Sequence, residues 1–467
     1  MTIIHWFRRD FRLADNMALH AAAQSAAQNS VRIVPLFILD PALLDGPNAS
    51  EPRLAFMFRA LRGLDERLRA HGGGLLVRWG NPAVVLRELA DELDARALYV
   101  NADYSPYARH RDAAVVEALS IPVYRFHDGV LYEPGSIRKN NGMPYVVYTP
   151  FMKRLRSLEP PLRPLPDVVA GRLHNLAGLD RAELPQTQTS IPLPPATEAA
   201  AIARLETYTA GAIYRYGTAR NALVSQPFAA DPPPGTSYLS PYFRFGLLSP
   251  RQAYWAALDA VPDSEQARES VEVWVNELIW REFYTHILHH FQRVAQGNFR
   301  REYDALAWRD APDELAAWQA GQTGYPVVDA AMRQLQAVGW MPNRARMIVA
   351  SFLTKDLLID WRAGERHFMQ WLLDGDLAAN NGGWQWAAGT GTDAQPYFRI
   401  FNPVEQGRRY DPNGDYVRAW IPELCDVPAK VIHAPWRTEN PPPGYPPPLV
   451  DHAEARQRTL AAFKAIK

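Results

Sequence analysis

The residues best suited to chemistry crowd into one short stretch, Asp374-Gly-Asp376-Leu-Ala-Ala-Asn380-Asn-Gly-Gly-Trp384-Gln-Trp386. Asp and Asn side chains can hydrogen-bond the polar edge of a heterocycle, and glycine lets backbone approach it closely. The neighbouring indoles can stack on its faces. A second set, Trp274-Val-Asn-Glu277-Leu-Ile-Trp280-Arg281, reads as helix. Trp274, Glu277 and Arg281 stand three and four residues apart and so share a face, with Trp280 beside them. A carboxylate between two indoles is costly to bury without a partner, which a ligand's N–H groups would supply. A Glu277–Arg281 surface pair flanking core tryptophans is the competing reading. A third set, Gly235-Thr236-Ser237-Tyr-Leu239-Ser240-Pro, offers either a phosphate cradle at a helix start or an N-capped turn.

Eleven of the fourteen tryptophans fall between Trp274 and Trp436, interleaved with Arg281, Arg344, Arg346 and Arg399. That pattern suits stacking on flat rings and contacts to phosphate, and a Trp-rich core would also produce it. Other motifs carry less. His71-Gly-Gly-Gly74 has no GxSxG to serve as an esterase oxyanion loop. His286, His289 and His290 have helical spacing but no HExxH, so no metal centre is expected. Gly389-Thr-Gly-Thr-Asp393 lacks the lysine of a P-loop.

These residues need scaffolds, and the chain supplies two kinds. Ile3–Phe7, Val31–Leu39, Leu75–Trp79 and Ala97–Asn101 read as short buried strands, separated by helical stretches at Asn16–Gln28, Arg53–His71 and Val84–Ala95. Such alternation predicts a Rossmann-like α/β domain, with a parallel sheet, over about residues 1–130. No GxGxxG follows the first strand, so a standard dinucleotide site is not expected there. A Pro-rich connector follows over 131–199, whose composition disfavours helix and sheet. From 200 to 467 helical periodicity dominates, as in Arg251–Ala260, Glu265–Phe291 and Tyr325–Val338. An all-α domain is expected there.

Fifty Lys and Arg residues balance fifty Asp and Glu residues, so DNA binding would have to use a local patch. One cysteine excludes an internal disulfide and a four-thiolate iron–sulfur cluster. No apolar run is long enough to span a bilayer, and the N-terminus lacks a signal-peptide build. A cytoplasmic, monomeric protein without membrane partners is the expectation.

Taken together, the stretches His5–Asn16, Trp274–Phe283, Gly324–Arg333 and Asp374–Asn402 resemble the photolyase/cryptochrome family, most closely the class I cyclobutane-dimer photolyases. The resemblance spans nearly the whole chain. It implies an α/β antenna domain and a helical domain holding folded FAD, active in its reduced anionic form. It implies light-dependent repair of cyclobutane pyrimidine dimers in DNA, in which one electron passes to the dimer and returns. By the same resemblance Tyr216, Thr236, Ser237, Leu239, Ser240, Trp274, Arg281, Arg346, Asp374, Asp376 and Asn380 surround FAD, with Asn380 facing flavin N5. Glu277, Trp280, Asn343, Met347 and Trp386 line the dimer pocket, while Arg220 and Arg344 meet DNA. Trp308, Trp361 and Trp384 match an electron-passing chain.

Two departures stand out. The family's usual Met-His-Asn-Arg is Met341-Pro-Asn343-Arg344, which stiffens the backbone before Asn343 and removes a donor. The loop from Arg220 to Gly235 is longer and Pro-rich. The segment Asn101-Ala-Asp-Tyr-Ser-Pro-Tyr107-Ala-Arg109 resembles antenna loops of deazaflavin or flavin type more than folate type. Ser105 replaces an acid common in the deazaflavin type, so deazaflavin, FMN, folate or no second chromophore remain open. A cryptochrome-like photoreceptor is the alternative function. The asparagine at 380 and the end of the chain at Lys467, without a long signalling tail, favour repair.

Overall fold

The computed structural model describes all residues except 47–48, 225, 227, 229–232, 234, 261–263 and 467. Residues 229–232 and 234 carry much of the Pro-rich Arg220–Gly235 loop, which to that extent lies outside the described residues.

Five parallel strands form one sheet: β1 (Thr2–Phe7), β2 (Arg32–Leu39), β3 (Leu76–Trp79), β4 (Ala95–Asn101) and β5 (Val123–Phe126), in the order β3-β2-β1-β4-β5. All six residues of β1 are buried, as its central place requires. Four strands stand where the apolar runs predict them. The fifth, Val-Tyr-Arg-Phe, is short, half-exposed and at the sheet edge, so it carries no continuous apolar signal. Helix Met17–Asn29 is capped by Asn16, whose side chain accepts from the Leu19 N–H. Helix Pro82–Glu92 ends three residues short of the expected Ala95, because Asp94 turns through a left-handed φ of 45° and β4 begins at once.

The connector departs from its composition. It contains helix Tyr148–Arg156, and Leu173 makes a parallel bridge with Ile33 of β2. Beyond it the described residues hold helices and no strands. Helix Glu265–His290 is the longest, capped at Ser264 through the Ala267 N–H. Around it lie helices Ser240–Phe245, Asn343–Ser351, Trp361–Trp371 and Leu377–Ala388. The α/β layer and the helices meet through buried ion pairs. Arg12 and Arg251 both hold Asp128, at 2.6 and 3.0 Å, and Arg251 also reaches Asp15 at 3.2 Å. No helix among the described residues is long and apolar enough to cross a membrane.

Candidate functional site

Three helices converge on a cavity of about 510 Å³, within the usual range for cofactor sites. Helix Glu265–His290 contributes Trp274, Glu277, Trp280, Arg281 and Tyr284. Helix Asn343–Ser351 contributes Asn343, Arg346, Met347 and Ala350, spaced so that one face meets the cavity. Helix Leu377–Ala388 contributes Ala379, Asn380, Gly383, Trp384 and Trp386. Thr236, Ser237 and Ser240 line it from the start of helix Ser240–Phe245, and Tyr216 and Arg220 also reach it.

The two adjacent glycines play different parts. A Cβ on Gly382 would lie 2.1 Å from the Tyr284 ring, so glycine there lets two of the helices touch. A Cβ on Gly383 would meet nothing within 4 Å. Close approach to a ligand is therefore available at Gly383, whereas Gly382 serves packing.

The polar side chains are oriented by the protein. Arg346 grips Asp374 with two bonds, at 3.2 and 2.8 Å, and its Nε donates to the Met341 carbonyl. Asp376 caps helix Leu377–Ala388: its Oδ1 accepts from the N–H groups of Ala378 and Ala379. Asn380 donates its Nδ2 to the Glu365 carbonyl at 3.0 Å, which leaves Oδ1 as the acceptor available to a ligand N–H. Glu277 pairs with Arg220 at 2.8 Å. Burial pushes its carboxyl up, and Arg220 pulls it back. The expected alternative pair with Arg281 is not made, since Arg281 donates to the Gly129 carbonyl at 2.6 Å.

Aromatic walls are braced in turn. Trp280 stacks on Tyr148 of the connector helix with ring centroids 3.6 Å apart and planes 4° off parallel. Trp384 is almost wholly buried against Phe368 and Trp318, and its indole N–H has no partner among the described residues. Its ring occupies the space a Cβ on Gly364 would need, one turn after Trp361 in helix Trp361–Trp371. Trp361 is fully buried with its N–H on Asn298 Oδ1 at 2.9 Å, and Trp308 is partly exposed. Of this trio only Trp384 lines the cavity.

Arg344 also stands outside the lining. It donates to Asn221 and lies 4.5 Å over the Tyr410 ring. Leu239 is buried and contributes no lining side chain. Pro342 is the N-cap of helix Asn343–Ser351, where its carbonyl accepts from the Arg346 N–H. Its missing N–H costs that helix nothing. His286 is packed on Phe151 with Nε2 bonded to the Tyr145 carbonyl, and burial lowers it to about 3.

Two functional candidates escaped the sequence. Arg244 lines the cavity, forms no ion pair with a carboxylate among the described residues, and is pulled down to about 9 by burial and by Arg9. Arg9 reaches the cavity from the α/β layer. Position alone announces neither, although Arg244 stands four residues after Ser240. In the antenna-like loop, Asn101 is held by Asp10 and Asn16, Ser105 caps helix Pro106–Ala118, and Tyr107 bonds Asp40.

An unpaired guanidinium beside three hydroxyls suits a pyrophosphate, and an oriented amide with flanking indoles suits a flat ring with N–H groups. The residues therefore fit FAD. Fold and cavity define a protein that encloses a flat, phosphate-bearing cofactor between helices below an α/β layer. The sequence matches the DNA photolyase family model over residues 3–167 and the FAD binding domain of DNA photolyase over 274–465. It is 43 % identical to deoxyribodipyrimidine photo-lyase of Halobacterium salinarum, over 99 % of both chains. The chain belongs to the DNA photolyase family. The fold is similar to a class III photolyase from Agrobacterium tumefaciens (TM-score 0.87, 35 % identity, 100 % of this chain and 97 % of that one). It is similar as well to a Synechocystis cryptochrome (TM-score 0.89, 28 % identity, 99 % of both).

Proposed function

We propose that the protein repairs cyclobutane pyrimidine dimers in DNA in a light-dependent reaction, with FAD in the helical cavity and the dimer at its mouth. The observation that carries this reading is a gradient of burial within one cavity. Trp274, Trp384 and the Asp374 carboxylate are buried, whereas Asn343 is exposed and Trp280, Met347 and Trp386 are half-buried. The deep groups match a resident cofactor, and the outer ones match a substrate that comes and goes. Reduced FAD, when bound and excited, supplies the electron that opens the cyclobutane ring and takes it back.

The chain's own residues do the rest. Arg244, Thr236, Ser237 and Ser240 bind the phosphate side, and Asn380, fixed by Glu365, presents Oδ1 to a ring N–H. Arg346 holds Asp374 aimed through its two bonds. Trp280, held flat by Tyr148, and Trp386 offer walls to two bases flipped from the helix, a step that costs less at a damaged pair. Glu277, steadied by Arg220 and with its carboxyl pushed up by burial, accepts from an imide N–H as the carboxylate and, in its protonated form, donates to a base carbonyl where negative charge develops. Arg344 meets backbone phosphate. Trp384 at the cavity, the buried Trp361 and the partly exposed Trp308 suit a relay that delivers electrons to oxidised FAD.

The test is repair of a dimer-containing oligonucleotide with and without blue light. Repair in light alone supports the reading, and binding without repair would favour the second one, a cryptochrome-like photoreceptor. The fold likeness to a cryptochrome is the observation for that second reading, and the amide at Asn380 is the one against it.

A further inference from the structure

The α/β layer contributes a side chain to the cofactor cavity. Arg9 stands two residues beyond β1 and its side chain crosses to the helical part of the molecule, where its Nη2 donates to Asp376 Oδ2 at 2.5 Å and its Nε to the Arg244 carbonyl at 3.3 Å. Its nearest carboxylate in the α/β layer, Asp103, is farther away at 3.6 Å. Asp376 divides its oxygens: Oδ1 caps helix Leu377–Ala388, and Oδ2 is left for Arg9. Both residues line the large cavity, and both also line a small crevice of about 60 Å³ at the carboxyl ends of β1 and β4. The pair is therefore part of the wall between the two spaces.

Building on the FAD reading above, we infer that Arg9 is a positioning residue for the cofactor: it holds the Asp376 carboxylate ionised and aimed along the cavity wall. Without Arg9, Asp376 Oδ1 still caps its helix, but Oδ2 is free to turn. The charged groups facing Asp376 are Arg9 from the end of β1, Arg244 from helix Ser240–Phe245 and Arg281 from helix Glu265–His290; Asp103 lies on the far side of Arg9. The three cations keep the Asp376 carboxyl near 2 despite its burial. Removing the closest of them raises that value. FAD held through an ionised Asp376 would then be released at a higher pH than in the wild type.

FAD retention by the full-length protein tests this, read as released flavin fluorescence after dialysis. Arg9→Ala should raise the FAD dissociation constant about tenfold or more, as expected for losing a charge-assisted contact. It should also move the acid midpoint of FAD release upward, and Arg9→Lys should restore most of both. Asp376→Asn keeps a competent helix cap while removing the charge, and in that background Arg9→Ala should add less than about threefold. Retention unchanged in Arg9→Ala, or an equal loss in both backgrounds, overturns the inference. A loss in Arg9→Ala that tracks a lowered melting temperature of the FAD-free protein, with no shift of the acid midpoint, also overturns it. A wild-type protein that holds no FAD overturns the underlying reading of the cavity instead.

Discussion

The large cavity and the crevice beside it both carry Arg, Asp and Asn side chains, and they differ in what those polar groups touch. In the crevice nearly every charge is answered by another. Arg12 meets Asp128, Arg8 meets Asp112 at 2.5 Å, and Asn101 bonds both Asp10 and Asn16. The space left is about 60 Å³. In the large cavity, among the described residues, Arg244 has no carboxylate partner, Asn380 spends only its donor and the Trp384 N–H is unbonded, and about 510 Å³ remains. Saturated polar groups fix two layers together, whereas unsaturated but oriented ones await a ligand. Arg9 and Asp376 belong to both regions, which is why the layers and the cofactor cannot be considered apart.

Substitutions in the two regions should therefore fail in different ways. The largest effect on stability is expected in the interface. Asp128→Ala strips two buried guanidinium groups of a carboxylate and should cost about 3–5 kcal/mol, measured by denaturant unfolding. A loss below about 1 kcal/mol would mean that the interface is wetter than its burial indicates. Trp384→Phe leaves a cavity against Phe368 and Trp318 that should cost about 1–3 kcal/mol, yet the folded variant should lose photoreduction of oxidised flavin, while repair persists when the cofactor is reduced chemically. Loss of both activities together would make Trp384 a structural residue.

Glu277→Ala should lower repair per absorbed photon with FAD still bound, and should change stability by no more than about 1 kcal/mol, since the pair with Arg220 is a third exposed. An unchanged yield in a folded variant would remove Glu277 from the chemistry. The smallest effect is expected of Arg344→Ala, outside both regions. Affinity for damaged and undamaged duplexes should fall by similar factors, and the salt slope of log K by roughly 0.9. Titration of both duplexes across salt decides it; a loss confined to damaged DNA would move Arg344 into the lesion pocket.

Much of the cavity was legible because its residues sit close together along helices. Spacing alone put Trp274, Glu277 and Arg281 on one face, and Asp374–Trp386 is continuous in sequence. What was not legible is held by contacts between distant segments. Arg9 and Asp376 are 367 residues apart, and nothing local links them. Tyr148 braces Trp280 from a stretch whose prolines hide a helix. The partner of Glu277 is Arg220 rather than Arg281, because Arg281 finds the Gly129 carbonyl just beyond β5. Strand β5 escaped for a different reason: an edge strand with two exposed central residues has almost no apolar pattern to read.

The central claim is that light absorbed by a flavin in this cavity drives dimer repair. An action spectrum tests it most directly, with repair of a dimer-containing oligonucleotide per incident photon measured against wavelength for the reduced protein. The spectrum should superimpose on the absorption of the bound chromophores and vanish in the dark. Repair that proceeds in darkness, or that ignores the flavin bands, would contradict the account.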